Sequence, residues 1–408
     1  MKLGIKVFAA YYPPHRGGYE RTVSELAERV AAAGHDVTVI TCDLGLAPVR
    51  ETRGGVRIYR LPSWQILGGT YTIPKPSLSG LRLLREALAG RCDLVHTHTR
   101  FFPTTALGMV ISLLMRRPLV HTEHGAGHSQ TGRRIVSMVN QIVDHGFGSL
   151  LMRYAHVIAI SNAAADFCRH LGARKVEIIP DGVDIEVFHP RASSFRQKYG
   201  IGADETVVTF VGRLVWGKGV QDLLAAWPAY ATENTRVVLV GDGPMREELE
   251  QAATRLGASV VFTGGLDTEG VCDTLAATDI FVSPTHTEGL GLTLIEAGAM
   301  GLPAVACGIE GVLDVVLDER SGVLVPVGDV AALGAAVQRL AHNPQLRRTM
   351  GAAAREHVRA RFDWRTSAAA YITTFSRLYA ARQRANGQPR LDAQANSAEH
   401  PISGEGNA

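Results

Sequence analysis

The amino-acid sequence predicts an α/β protein made of two doubly wound parallel sheets that face each other across a cleft. Its 408 residues exceed one ordinary core and suit two domains of ~150–200 residues each. Short β-branched runs alternate with helical periodicity in two successive series, and such alternation gives parallel sheets covered by helices on both faces. Between the series, Pro190-Arg191-Ala192-Ser193-Ser194 reads as a boundary. The expected units are residues 1–190, residues 191–362, a helix over 363–384 and a polar, disordered tail over 385–408.

Residues 3–9 are short and apolar, the mark of a buried strand. Residues 20–33 carry Val23, Leu26, Ala27, Val30 and Ala31 at helical spacing, and Gly34 stops that helix. Residues 36–41, 56–60, 94–97, 119–122, 157–160 and 176–179 continue the strand series. The apolar run 106–115 is well short of the ~18 residues a membrane span needs and reads as a buried helix. In the second series, 206–211, 236–240, 260–263, 280–283, 304–306 and 323–325 are strands, and a helical run over 364–382 ends the folded part. Ligands of such sheets bind beyond the carboxyl ends of the strands, so each domain supplies one wall of the cleft. The N-terminus reads as a first strand without the apolar core and cleavage site of a signal peptide.

With 46% hydrophobic and 20% charged residues, the composition is that of a soluble globular enzyme. Five scattered cysteines, with no Cys-x-x-Cys pair, argue against a disulfide framework and a thiolate metal site. Residues 1–190 hold 22 Lys and Arg against 15 Asp and Glu, a net of +7, and 11 of the 15 histidines. This excess suits contact with anionic lipid, through Arg116-Arg117 and Arg133-Arg134 beside apolar stretches, or steering of anionic substrates. Ordinary surface charge is the plain alternative. Nucleic acid is not an expected partner, for want of a dense basic stripe or an aromatic stacking set.

The chemistry concentrates in Thr287-Glu288-Gly289-Leu290-Gly291-Leu292-Thr293-Leu294-Ile295-Glu296, which follows the strand 280–283 and opens a small-residue helix. A strand feeding a helix through a Gly-rich turn leaves backbone N–H groups unpaired beside the positive end of the helix dipole, a ready site for a diphosphate. Glu288 falls in the loop before the helix and Glu296 about two turns in, too far apart for a catalytic dyad. Acceptors on both sides of an anion cradle suit a nucleotide sugar. Arg213 and Lys218 lie just after another strand, among Gly212, Gly217 and Gly219. A planar guanidinium fork and a compact ammonium are the groups that neutralise a leaving phosphate.

The segment from Glu288 to Glu296 resembles the Glu-x7-Glu signature of retaining nucleotide-sugar glycosyltransferases of the GT-B fold, in the family 4/group 1 set that includes bacterial mannosyl- and glucosyltransferases. The resemblance runs from about residue 3 to about 380 through Pro13-Pro14-His15-Arg16-Gly17-Gly18-Tyr19-Glu20, Ala33-Gly34-His35-Asp36, Asp93-Leu94-Val95-His96-Thr97-His98 and Thr122-Glu123-His124-Gly125. It continues through Ile179-Pro180-Asp181-Gly182-Val183-Asp184, Gly212-Arg213-Leu214-Val215-Trp216-Gly217-Lys218-Gly219, Gly241-Asp242-Gly243-Pro244 and Phe262-Thr263-Gly264. It implies that the last helix crosses back to the first domain. Gly17, Gly18 and Gly264 would lie at the donor, with Glu288 on the sugar hydroxyls and Glu296 on the ribose. The N–H groups of Gly289, Leu290, Gly291 and Leu292 would face the diphosphate and sugar. His124, Arg213, Lys218 and Glu288 would be the catalytic groups, and the outcome retention of configuration.

No metal or other cofactor is expected. No Asp-x-Asp occurs, and no helix-spaced His-Glu-x-x-His accompanies His96, His98, His121, His124 or His128. The donor is expected to be UDP- or GDP-linked and the acceptor a glycan or a lipid-linked molecule, in glycolipid or envelope polysaccharide synthesis. The place is the cytoplasm, at the inner face of the plasma membrane if lipid is touched. A sugar-nucleotide epimerase and a catalytically silent nucleotide-sugar binder are the alternatives on the same fold. Asp181 stands where the family most often has Asn, Glu310 where a small residue is usual and Asp314 where Glu is frequent.

Overall fold

A computed structural model of the chain describes residues 1–15, 17–66, 71–128 and 134–386. Its first domain holds β1 (Gly4–Phe8), β2 (Asp36–Cys42), β3 (Arg50–Arg53), β4 (Val56–Leu61), β5 (Ser63–Ile66), β6 (Tyr71–Pro74), β7 (Leu94–His98), β8 (Leu119–Glu123), β9 (His156–Ala159) and β10 (Val176–Ile178). Eight of these form one sheet in the order β10-β9-β8-β7-β1-β2-β4-β3, and β5 and β6 pair as a separate hairpin. All neighbours in the large sheet are parallel except β3 with β4. Seven of these strands, β1, β2, β4, β7, β8, β9 and β10, were legible in the sequence as short stretches rich in β-branched and apolar residues. The exposed edge strand β3 was not: Arg-Glu-Thr-Arg carries no alternation, and its charges are what keeps an edge from pairing further. The hairpin also lies in a stretch that reads as plain loop in the sequence.

The second domain holds β11 (Thr206–Val211), β12 (Thr235–Val240), β13 (Val260–Gly264), β14 (Ile280–Ser283), β15 (Ala304–Cys307) and β16 (Gly322–Val325), in the order β13-β12-β11-β14-β15-β16. Every pair is parallel. The strand order reverses between β11 and β14, and in the first sheet between β1 and β7. Loops leaving a sheet at such a point diverge to opposite faces and open a crevice at the carboxyl ends. The fold therefore puts four loops, those after β1, β7, β11 and β14, where a ligand can sit.

The last helix, Trp364–Ala385, packs back onto the first domain as expected. Trp364, Tyr371, Phe375 and Tyr379 share one core with Val23, Leu26 and Val30 of the helix Gly18–Ala32. The Tyr371 hydroxyl lies 3.2 Å from Thr122 Oγ1. Two chain crossings run side by side here: Val183 N–H donates to Phe362 C=O (2.7 Å) and Trp364 N–H to Val183 C=O (3.2 Å). The helix reaches Ala385, one residue beyond the sequence reading, and the remainder of the expected tail lies outside the described residues.

Phe375 is 1% exposed at this junction. Phe375→Ala should lower unfolding free energy by about 3–5 kcal/mol, whereas Thr373→Ala on the exposed face should change it by at most ~0.5 kcal/mol. Chemical denaturation of both variants checks this, and equal midpoints would contradict the bracing role.

Candidate active site

The second-domain wall is built from the loops after β11 and β14. The helix Leu292–Ala299 begins at Gly291, whose φ of 70° and ψ of 57° place it in the left-handed region that glycine enters without strain. No side chain caps this helix start, so its first N–H groups stay available. The neighbouring loop is tied to it by backbone and side chain: the Gly217 carbonyl accepts from His286 N–H (2.9 Å) and from Thr285 Oγ1 (3.2 Å). His286 Nε2 in turn lies 2.7 Å from Asp222 Oδ2, and its ring meets Trp216 edge-on at 4.7 Å. These ties set Lys218 Nζ 2.6 Å from Glu288 Oε2, both side chains part-exposed to the cleft. The Arg213 side chain stands exposed at the other end of the same loop, with no ion-pair or hydrogen-bond partner among the described residues.

Glu296 behaves differently from the expectation. It is the fifth residue of its helix, so little more than one turn in rather than two, and only 2% exposed. Its carboxylate is bonded by the guanidinium of Arg21 from the helix Gly18–Ala32 of the first domain. Arg21 also lies over the Phe188 ring, 5.8 Å from its centroid. The sequence offered no sign of this cross-cleft pair, because 275 residues separate its members.

The first-domain wall meets the second through small groups. A Cβ on Gly18 would lie 3.1 Å from Leu292 Cδ1, so the Gly17-Gly18 turn abuts the head of the second-domain helix. A Cβ on Gly289 would lie 2.4 Å from the His124 carbonyl oxygen, a distance no real side chain tolerates. His124 thus touches the Glu288 turn through its backbone. Its ring is held by His98 (Nε2 to Nδ1, 3.0 Å), by Asp181 Oδ2 at 3.5 Å from Nδ1, and by the Tyr19 ring edge-on at 5.4 Å. Asp181 is 2% exposed and accepts from Thr22 Oγ1 (3.3 Å). Behind it lies a buried ion cluster in which Arg100 bridges Glu123 (3.0 Å) and Asp144 (2.7 Å). Burial pushes the Glu123 carboxyl up, yet the Arg100 guanidinium, His121 and the Gly125 N–H outweigh it and hold it well below the usual range.

Gly264 closes β13, where its carbonyl accepts from Gly241 N–H at 2.9 Å, and so lies on the wall beyond β12 rather than beside Glu288. A cavity of about 600 Å³ opens between the domains, lined by Ala126, Gly127 and His128 on one side and by Thr287, Glu288, Gly289 and Glu310 on the other. The structure therefore gathers His124, Lys218, Glu288, Gly289, Leu292 and Gly18 into one neighbourhood. Sequence reasoning missed Arg21, Asp222 and His286, which hold these groups without belonging to any motif.

This arrangement defines a protein of two Rossmann-like α/β domains with a crevice where the strand order of each sheet reverses. Residues 16–187 match the family described as Glycosyltransferase Family 4, and residues 192–357 match Glycosyl transferases group 1. The chain is 30% identical over 400 residues to the GDP-mannose-dependent alpha-(1-6)-phosphatidylinositol monomannoside mannosyltransferase of Mycolicibacterium smegmatis, covering 91% of this chain and 98% of that one. It is 30% identical over 411 residues to glycogen synthase of Mycobacterium tuberculosis, covering 93% and 95%. Among solved structures, sucrose-phosphate synthase of Thermosynechococcus elongatus superposes with a TM-score of 0.77 at 27% identity, covering 93% of this chain and all of that one. The chain belongs to the family 4 (group 1) glycosyltransferases of the GT-B fold. It is an enzyme of nucleotide-sugar-dependent glycosyl transfer.

Burial also fixes the charge state of the first-domain wall. The wholly buried His96 ring is pushed down to about 3 by burial and then by His121 and His124, and burial likewise lowers His98 and His121. These rings are neutral in the folded chain but titrate near 6.5 when unfolded. Below that value the unfolded chain binds more protons, so stability is full above pH 6.5 and falls as pH drops, by up to ~1.4 kcal/mol per unit per ring. Calorimetry should show a Tm that is level from pH 7 to 8 and declines from about 6.5 to 5. A flat profile over that range would contradict the buried neutral rings.

Proposed function

We propose that the chain moves a hexose, with retention of configuration, from a UDP- or GDP-linked sugar to an acceptor hydroxyl in lipid-linked glycan, glycolipid or envelope polysaccharide synthesis. The observation that carries this reading is the 2.6 Å contact of Lys218 with Glu288 beside an uncapped helix start, at the point where the strand order reverses. Glu288 holds the ammonium where a diphosphate would arrive. The phosphate then takes over Lys218, with Arg213 and the N–H groups of Gly289, Leu290, Gly291 and Leu292, and frees Glu288 for the sugar hydroxyls. Charge grows on the leaving phosphate as the sugar bond breaks, so these contacts strengthen in the transition state. Two cations and a helix end supply that stabilisation without a metal. Glu296 would exchange Arg21 for the ribose, and Gly17, Gly18 and Gly264 would border the donor. The backbone and ring of His124 would border the transferred sugar.

Retention is read as front-face transfer, in which the departing phosphate oxygen accepts the acceptor's proton. Lys218→Ala should lower transfer at least ~10-fold, through ~1.4 kcal/mol or more of lost transition-state stabilisation. The assay, run in excess chelator with a panel of nucleotide sugars, also separates readings. Wild-type turnover in the variant removes Lys218 from the mechanism. Epimerised donor without transfer would replace the transferase reading, and donor binding without turnover would mark a silent binder.

The acceptor side suggests a membrane. The helices Leu78–Leu88, Pro103–Leu114 and Ser149–Tyr154 cover one face of the first sheet, sharing a core through Leu83, Met109 and Leu151. Their outer surfaces expose Leu78, Leu81, Val110, Leu113, Leu114 and Leu150, with Arg82, Arg85 and Arg116 among them. No helix among the described residues is long and apolar enough to cross a membrane. Leucines beside arginines suit peripheral contact with anionic lipid, at the inner face of the plasma membrane. Sedimentation with vesicles rich in anionic lipid should retain the chain, and the double change Arg82→Glu, Arg116→Glu should weaken retention at least ~10-fold, given ~1 kcal/mol per basic residue. Retention equal to that on neutral vesicles would sink this part of the reading.

A further inference from the structure

We propose that His128, His145 and His170 form a site for a borderline divalent transition ion of the Zn(II) class, on the first domain and apart from the transfer chemistry. Three separate segments deliver one imidazole each. His128 follows β8, His145 belongs to the π-helical turn Asp144–Gly148, and His170 ends the helix Asn162–His170. One ring nitrogen from each lies within 4.8 Å of the others. Three imidazoles with an open fourth position are a donor set that zinc takes tetrahedrally, with bonds of about 2.0–2.1 Å and nitrogens therefore roughly 3.3 Å apart. His145 and His170 are exposed and His128 is part-buried.

The surroundings of His128 are those of a ligand histidine. Its Nδ1 lies 2.7 Å from Asp144 Oδ2, which fixes the ring and leaves Nε2 as the free nitrogen. Asp144 is 1% exposed and cannot swing away, because Arg100 grips it with Nε (2.7 Å) and Nη2 (3.0 Å). The Arg100 charge is balanced by Asp144 and Glu123 together, so it does not repel a cation at full strength. The Phe167 ring meets His128 edge-on at 5.1 Å and stacks on His170 at 6.3 Å, keeping the two imidazoles on the same side. His145 stands in the π-helical turn with its ring centroid 5.4 Å from that of His128 and 6.0 Å from that of His170, and such turns are frequent at functional sites. Three imidazoles side by side gain nothing from one another when protonated, whereas a shared ion would satisfy all three.

Because Ala126, Gly127 and His128 also line the interdomain cavity, a bound ion would fasten that wall to the helices behind it. The untagged full chain, stripped with chelator, would be titrated with Zn(II) by calorimetry and with Co(II) by absorbance. One equivalent bound, tetrahedral cobalt bands and a higher Tm are expected. Affinity should fall at least tenfold in His145→Ala and in His170→Ala, whose exposed side chains leave the fold intact. Absence of a bound equivalent, or wild-type affinity in both variants, would overturn the site. Transfer that is abolished by chelator and restored by Zn(II) would overturn its separation from the chemistry.

Discussion

The two lobes meet where a carbonyl lies against a glycine. The His124 oxygen reaches so near Gly289 that any side chain there would collide with it. The turn it presses on is the one that carries Glu288 and ends in left-handed Gly291. Helix start, carboxylate and first-domain histidine therefore share one position in space because one residue lacks a Cβ. A displacement of about 1 Å at such a contact is enough to cost catalysis heavily, since reacting groups need near-attack geometry.

Charge is organised on the same plan. Both carboxylates of the Glu-x7-Glu pattern are already matched to a cation: Glu288 to Lys218 within the second domain, Glu296 to Arg21 from the first. A carboxylate withdrawn from water is costly without such a partner. The cations are thus positioned by groups that can hand them over. In the proposed reading a phosphate would compete for Lys218 through its larger charge and its several oxygens. The Arg213 side chain, exposed and without a partner among the described residues, would require no exchange at all. The acid cluster of Arg100, Glu123 and Asp144 is different. It is wholly buried and links β8 to the π-helical turn, so it holds the loop that follows Glu123.

Most strands of the two sheets were legible in the sequence because they are largely buried and rich in β-branched and apolar residues, as in residues 206–211 and 280–283. The strand β3 was not, since an exposed, charged edge carries no such pattern. Within the site, Lys218, Glu288 and His124 were legible through motif spacing around glycines. Arg21 and Asp222 were not, because they sit on ordinary amphipathic helix surfaces and acquire meaning only when a distant carboxylate or imidazole is brought against them. The depth of Glu296 was misjudged for a related reason: the helix begins only at Leu292, after a left-handed residue that a helical projection does not anticipate. Tertiary partners and loop conformation lie outside what local spacing encodes.

What decides the matter is where a nucleoside diphosphate lodges on the second lobe. A crystal structure of the full chain soaked with UDP or GDP answers this directly. The β-phosphate should lie within hydrogen-bond reach of the Lys218 ammonium, the Arg213 guanidinium and the N–H groups that open the helix at Leu292, with Lys218 drawn off Glu288. A nucleotide found on another surface, with Lys218 and Glu288 still joined, would contradict the account.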